Sequence, residues 1–421
     1  MRISVIILCL ACTGALPAQD TLTLFHCHER AEENAPRLKD REAIRKSGEL
    51  KSELAGSGWL PSLNFNGKLS YQSDVVTIAL SDPSIPVEFP EVPKDQYGLN
   101  LDLTQTLFDG GITRQKKEVE KATTEAALQQ VEVDLYGLKN RVNQYYFSIL
   151  VLQEQYKNLE IHLENLNQRR EVMEAAVEEG AILEEELKVI DVEILNIKKS
   201  ILEVETRKNS FLEVLDLLCG GGIAPGTVLQ KPELEGLMEA EGTRPEYRLF
   251  DLQDASMEAS KTMIGKKRMP VLYAFGQTGY GKPGYNMLSG EWDFYYMVGA
   301  GLRWNIWDWN SSTREKQVIE NQQQMLLNQR ESFTLEMESL GVKERARMKQ
   351  FRQSIEYEKE VLELQQQISR NASAKLEHGT ITATEYIMEL SKENLARISL
   401  ETNQIQLLQA MANYLTIQGT L

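Results

Sequence analysis

The stretch Leu99-Asn100-Leu101-Asp102-Leu103-Thr104-Gln105-Thr106-Leu107-Phe108-Asp109-Gly110-Gly111-Ile112-Thr113-Arg114 changes its periodicity part-way through. Leu99, Leu101, Leu103 and Leu107 alternate with Asn100, Asp102, Thr104 and Thr106, the period of two that gives a β-strand one apolar and one polar face. Asp109-Gly110-Gly111 breaks that pattern. Thr113-Arg114-Gln115-Lys116 then opens a long charged run, free of proline, in which apolar residues recur at helical spacing. The chain must therefore join an extended strand to a long helix through a glycine turn.

The same grammar appears elsewhere. Leu63, Phe65, Leu69 and Tyr71 alternate with Asn64, Asn66, Lys68 and Ser70, and Trp292, Phe294, Tyr296, Val298, Ala300, Leu302, Trp304 and Ile306 form a further apolar face opposite Asp293, Arg303 and Asn305. These landmarks repeat in order at an offset of about 200 residues, the mark of an internal duplication. Leu60-Pro61-Ser62-Leu63 is answered by Met269-Pro270-Val271-Leu272, each followed at equal steps by a glycine and a tyrosine (Gly67 and Tyr71, Gly276 and Tyr280). Leu107-Phe108-Asp109-Gly110 is answered by Ile306-Trp307-Asp308-Trp309, Thr113-Arg114 by Thr313-Arg314, and Gly180 by Gly379. The organisation expected is a first repeat over 19–218 with strands near 61–72 and 97–108 and a tip turn near 180. A linker follows over 219–243. A second repeat over 244–421 has strands near 270–280 and 292–306 and a tip turn near 379.

Strand alternation alone fits either a transmembrane barrel or a soluble sheet with one wet face. The helices separate the two readings. From Val131, apolar residues recur at Leu138, Tyr145, Leu152, Leu159, Leu166 and Met173; a second series runs Leu135, Val142, Ile149, Tyr156, Leu163 and Val177, interrupted at Arg170. That is coiled-coil spacing, and a helix from Thr113 to Glu179 would reach roughly 100 Å at 1.5 Å per residue. The counterpart from Thr313 to His378 is more polar, with Gln322-Gln323-Gln324 and Gln365-Gln366-Gln367, as a wall wetted on one side would be. Tyr97, Phe108, Tyr273, Trp292, Trp304 and Trp307 suit the aromatic girdles at the two bilayer interfaces. An open four-stranded sheet in lipid leaves unpaired edge amides, so closure requires other copies of the chain: two supply eight strands, three supply twelve.

Composition and motifs narrow the classes of function. A formal net charge of −16 over 421 residues, with no long basic run, argues against nucleic acid as a partner. Residues 1–18 read as a signal peptide, with Arg2, an apolar run from Ile3 to Ala11, and cleavage after either Ala15 or Ala18; Cys12 is a weak lipidation candidate. Export would remove Cys9 and Cys12 and leave Cys27 and Cys219, too few thiols for a disulfide framework. His26-Cys27-His28-Glu29 invites a metal reading, but no second ligand pair follows at ligand spacing, and the first turn of an opening helix explains it equally well. No nucleophile motif or phosphate loop appears, so no metal, no cofactor and no enzymatic activity are expected. The rival from another class is a periplasmic or secreted coiled-coil structural protein.

Leu60-Pro61-Ser62-Leu63, Leu103 to Gly111, and the paired turns at Gly180 and Gly379 together resemble the TolC family of outer-membrane efflux and secretion channels. The resemblance spans nearly the whole chain after the signal segment. It implies a mainly helical, duplicated chain whose four strands join a twelve-stranded barrel as a homotrimer, in the outer membrane of a Gram-negative bacterium. A helical barrel would continue it through the periplasm to an adaptor protein and an inner-membrane transporter of RND or ABC type. It also implies that Glu179-Gly180-Ala181 and His378-Gly379-Thr380 are the tips that meet the adaptor. Glu186 and Glu385 stand where the family places aspartates at the closed aperture, and Met388 replaces a further aspartate. An acidic ring from Glu186 and Glu385 is the functional reading, against a solvated helix start at Glu184-Glu185-Glu186. Where Gly110 and Gly111 turn strand into helix, the second repeat has Trp309-Asn310, and Asn310 tolerates positive φ.

Overall fold

The computed structural model describes residues 22–76, 92–240, 242–287 and 290–421. The expected signal segment, and Asp82, Pro83, Pro86, Glu88, Pro90 and Glu91 of the first inter-strand loop, lie outside the described residues. In chain order the elements are α1 (Leu24–Asn34), α2 (Asp40–Gly56), β1 (Ser62–Tyr71), β2 (Asp95–Phe108), α3 (Ile112–Glu178), α4 (Glu184–Leu218), α5 (Pro245–Lys266), β3 (Val271–Lys282), β4 (Asp293–Arg303), α6 (Ser311–Glu377) and α7 (Ala383–Gln418). They form two compact units, one from Asp40–Gln130 and Glu246–Glu331, the other from Met1–Lys39, Val131–Pro245 and Ser332–Leu421. The boundary thus cuts across both sequence repeats. No helix among the described residues is long and apolar enough to cross a membrane.

The first unit holds the sheet. Its order is β1-β2-β3-β4, antiparallel throughout, so β1 and β4 each offer an unpaired edge. Strand lengths of 10, 14, 12 and 11 residues suit a tilted bilayer span, which takes about 9–11 residues per strand. Register aligns Phe65, Leu101, Thr278 and Tyr296 across the four strands, and Leu63, Leu103, Gly276 and Val298 in another row, so one face is apolar from edge to edge. That face is open: Phe65, Tyr296 and Val298 are 70, 73 and 77% exposed. At one end Tyr97 and Tyr280 flank Trp292, with ring centroids 5.7 and 5.3 Å apart. At the other, Trp304 donates its indole N–H to the Arg268 carbonyl at 3.1 Å. A bulge between Thr106 and Phe108 brings Phe108 opposite Leu272.

Tyr273 does not belong to the girdles. It pairs with Gly301 in the row between Leu272–Leu302 and Ala274–Ala300, so strand parity turns it to the opposite, lumen-side face. Its ring lies over the site a Gly301 Cβ would fill, 2.5 Å from Cζ; Phe275 covers Gly299 likewise at 2.6 Å and Tyr295 covers Gly279 at 2.5 Å. Rings resting on cross-strand glycines protect backbone that would otherwise be bare. On the same face Asp102 accepts from Asn66, Asn100 and Gln277 at 2.5, 2.6 and 2.6 Å.

The second unit is helical and has two apolar clusters. One gathers Leu24, Cys27, Val142, Tyr146, Ile149, Leu215, Ile405 and Leu415; the other gathers Leu159, Leu166, Met173, Ile190, Ile194, Tyr386 and Leu390. Both heptad series of α3 supply buried positions, Leu152, Leu159, Leu166 and Met173 from one and Leu135, Val142 and Ile149 from the other. The counterpart stripe on α6 is a narrow seam that includes Met348, Phe351, Ile355, Ser369 and Ala372, mixed in polarity because its flanks face water. The 219–243 segment is packed rather than free. Leu229 and Leu234 enter the first cluster, and Leu22 exchanges backbone hydrogen bonds with Val228 and Gln230 at 3.3 and 3.2 Å. Glycines turn the chain at its start, and the leucines after them enter a core, as a linker or equatorial segment lying along the helices can.

Candidate functional site

Both helical tips end on the same backbone device. Gly180 and Gly379 take φ of +73° and +66°, a left-handed conformation that strains any residue with a Cβ. Ala181 N–H returns to the Ala176 carbonyl at 2.8 Å and Gly180 N–H to Val177 at 2.9 Å; Thr380 returns to Lys375 at 2.9 Å and Gly379 to Leu376 at 3.0 Å. These close the last carbonyls of α3 and α6. Glu179, Gly180, Ala181, His378, Gly379 and Thr380 are all exposed, so the two turns present accessible surface at one end of the helical unit.

Glu186 and Glu385 sit beside those turns, and both are engaged as helix caps. Thr382 precedes α7, and its hydroxyl accepts from Glu385 N–H at 3.3 Å while the Glu385 carboxylate accepts from Thr382 N–H at 2.9 Å, a reciprocal capping box. The corresponding position before α4 is Leu183, which has no capping side chain. Glu186 therefore has no such partner on its own helix, and its carboxylate accepts instead from Ala383 N–H, the first residue of α7, at 2.6 Å. Two carboxylates thus stand at the positive end of one helix, where dipole and free N–H groups favour them. Glu385 remains exposed and Glu186 half-buried.

Sequence reasoning missed Arg169. Its guanidinium pairs with Glu377 at 3.1 Å, bonds Ser373, and stands 5.1 Å from the Tyr386 ring centroid, tying α3 to α6 and α7 just behind the tips. The adjacent Arg170 pairs with Asp191 at 2.7 Å and Glu174 at 2.9 Å, and the Asp191 hydrogen bond in particular holds its guanidinium above the usual value. Arg170 is also the residue that interrupts the apolar heptads, and this bridge to α4 is what occupies the gap.

Residues 28–221 match the family model described as outer membrane efflux protein. Solved structures share the fold over almost the whole chain. The outer membrane protein VceC from Vibrio cholerae aligns at 13% identity and TM-score 0.66, covering 94% of this chain and 96% of its own. The MtrE outer membrane channel of Neisseria gonorrhoeae, in its open state, aligns at 14% and 0.65 over 94 and 88%, and the Campylobacter jejuni CmeC outer membrane channel at 13% and 0.63 over 94 and 85%. Among curated proteins none matches this sequence significantly. Residues 28–221 are thus similar to the outer membrane efflux protein family, and the chain shares the fold of these outer membrane channels.

In this chain the strand-to-helix turns repeat in backbone but not in residue type. Gly110 and Gly111 have φ of +67° and +84°, and Trp309 and Asn310 reproduce them at +52° and +60°. Asn310 was foreseeable there; Trp309 was not, because nothing in a tryptophan signals a left-handed residue. Each turn is fastened by the aspartate before it. Asp109 accepts from Gly111 and Thr113 N–H, both at 2.8 Å, and Asp308 accepts from Ser312 N–H at 3.1 Å. Losing such a cap costs about 1–2 kcal/mol. Asp109→Ala should therefore lower the melting temperature of the detergent-extracted protein more than Asp308→Ala, since Asp109 is buried and Asp308 only half-buried. Equal losses would mean that burial adds nothing to the cap.

His26 and Glu29 share an exposed face of α1, 3.7 Å apart. His28 points inward and meets Asn143 Oδ1 at 2.8 Å. Asn143 in turn donates to Thr416 Oγ1 at 3.1 Å, and the Thr416 carbonyl accepts from Tyr136 at 2.6 Å and Arg244 at 3.2 Å. This buried polar chain joins α1, α3, α7 and the segment before α5. The motif that invited a metal reading is therefore split between surface and core.

Proposed function

We propose that this protein is a passive exit duct of the efflux type: copies of the chain close their sheets into one outer-membrane barrel, and their helices continue the passage through the periplasm. The observation that carries this is a four-stranded sheet with an exposed apolar face and two unpaired edges. In water that surface would aggregate; in lipid it is satisfied, provided other chains pair the edges. Three copies give twelve strands, the homotrimer we favour over a dimer of eight. A coiled-coil structural protein has no use for such a face.

The exposed tips at Gly180 and Gly379 are, in this reading, the docking points for a periplasmic adaptor that recruits an RND or ABC transporter. Glu186 and Glu385 supply an acidic ring at the aperture. Their capping bonds place both carboxylates at the start of α7. Outer-membrane fractionation followed by the mass of the detergent-extracted assembly tests the architecture: a trimer is expected, and a soluble periplasmic monomer would end it. Bilayer recordings test the ring. Glu385→Lys should reduce the preference for cations, and Glu385→Gln, which keeps an acceptor for Thr382, should reduce it less. Unchanged selectivity in both would remove Glu385 from the aperture.

A further inference from the structure

Cys27 in α1 and Cys219 at the end of α4 are 192 positions apart, yet both are buried in the same apolar cluster. The Cys219 thiol donates to the Cys27 carbonyl oxygen at 3.6 Å. The neighbourhood is latched from several sides. Asn34 donates to the Cys219 carbonyl at 3.2 Å, Arg30 donates to the Gly221 carbonyl, and Gly221 N–H closes α4 on Asp216 at 2.8 Å. The end of α4 is thus held against α1 with the Cys219 sulfur on Cys27.

We propose that Cys27 and Cys219 form an intramolecular disulfide in the exported protein. Removal of residues 1–18 would leave these as the two cysteines of the chain, in a compartment that favours disulfides. The fold brings the two residues together, with the Cys219 sulfur already resting on the Cys27 backbone. The oxidant is a disulfide-bearing thiol oxidoreductase of that compartment. A Cys219 thiolate attacks one sulfur of the donor disulfide and the other leaves as a thiolate. Cys27, deprotonated, then attacks the Cys219 sulfur and expels the donor. Two electrons and two protons pass to the donor, which ends as a dithiol. Both cysteines are closed to solvent in the folded chain, so the exchange belongs to assembly, before the cluster seals.

The bond would staple the start of the first repeat to its end, leaving the tips and the sheet free of it. The test uses full-length protein recovered from the outer-membrane fraction, acid-quenched, denatured and labelled with a maleimide polymer before and after reduction. No label before reduction and two labels after it are expected, with an intact mass two hydrogens lower before reduction and a monomer-sized band after denaturation without reductant. Two labels without reduction would overturn the proposal. So would a reducible link between chains, or a reducible adduct of a small thiol. Cys27→Ser, if it accumulates, should take one label without reductant. Because the protein is taken from the outer membrane, reduced thiols would leave the channel reading standing.

Discussion

Gly110→Ala should sharply lower both the melting temperature and the yield of assembled outer-membrane protein, whereas Gly111→Ala should cost only a fraction as much. Both glycines have positive φ, and an L-residue there costs about 1–2 kcal/mol. The difference lies in what a Cβ would meet. At Gly110 it would sit 2.2 Å from Met269 Cβ, while at Gly111 nothing lies within 4 Å. Met269 cannot swing that atom away by changing rotamer, because Cβ is fixed to its backbone, and the residue leads directly through Pro270 into β3. Overpacking of this kind adds about 1–3 kcal/mol, for a total near or above 3 kcal/mol, a large share of the stability of an ordinary domain. Thermal unfolding of the detergent-extracted variants checks this; equal losses would show that the Met269 segment yields at little cost.

The second large effect is on pH. Burial, opposed by the Asn143 hydrogen bond and assisted by the charge of Lys139, pushes His28 down to about 4 from its ordinary 6.5. Lys139 is itself paired with Glu32 at 3.2 Å. Between these two values the unfolded chain binds a proton that the folded chain refuses, so stability rises with pH across that window. The contribution is complete above about pH 6.5 and is lost as pH falls toward 4, a total of about 3 kcal/mol. Melting temperature should therefore fall between pH 7 and pH 4.5 more steeply in the native protein than in His28→Gln, which keeps an amide donor for Asn143 but does not titrate. Parallel curves would mean that His28 charges freely in the fold.

Much of the architecture was legible because it rests on periodicity. The leucines at 99, 101 and 103 announce a one-sided strand, the heptads after Val131 a long packed helix, and Pro61 and Pro270 the places where helix gives way to sheet. Resemblance then supplied what pattern could not, the barrel and its membrane. The features that escaped are those decided by contacts between distant residues. Tyr273 was assigned to the wrong face because its aromatic character outweighed its parity. Trp309 takes a left-handed backbone only because the turn is imposed from both sides. Cys27 and Cys219 looked unrelated until the end of α4 was seen against α1. At the tips, the glycines were readable as turns, while the capping duties of Glu186 depended on Leu183 being unable to perform them.

That last exchange bears on how the duplicated chain has aged. A tandem copy begins with two self-sufficient halves, each capping its own helix. Here the second half has a threonine cap, while the first half has a leucine in that place and its glutamate serves α7. The halves have ceased to be interchangeable modules. A chimaera made of two first halves would place a leucine before both inner helices, and one made of two second halves would give each helix its own cap and leave neither bound to the other. What began as repetition has become a division of labour, and the tip now exists only as a joint product of both halves.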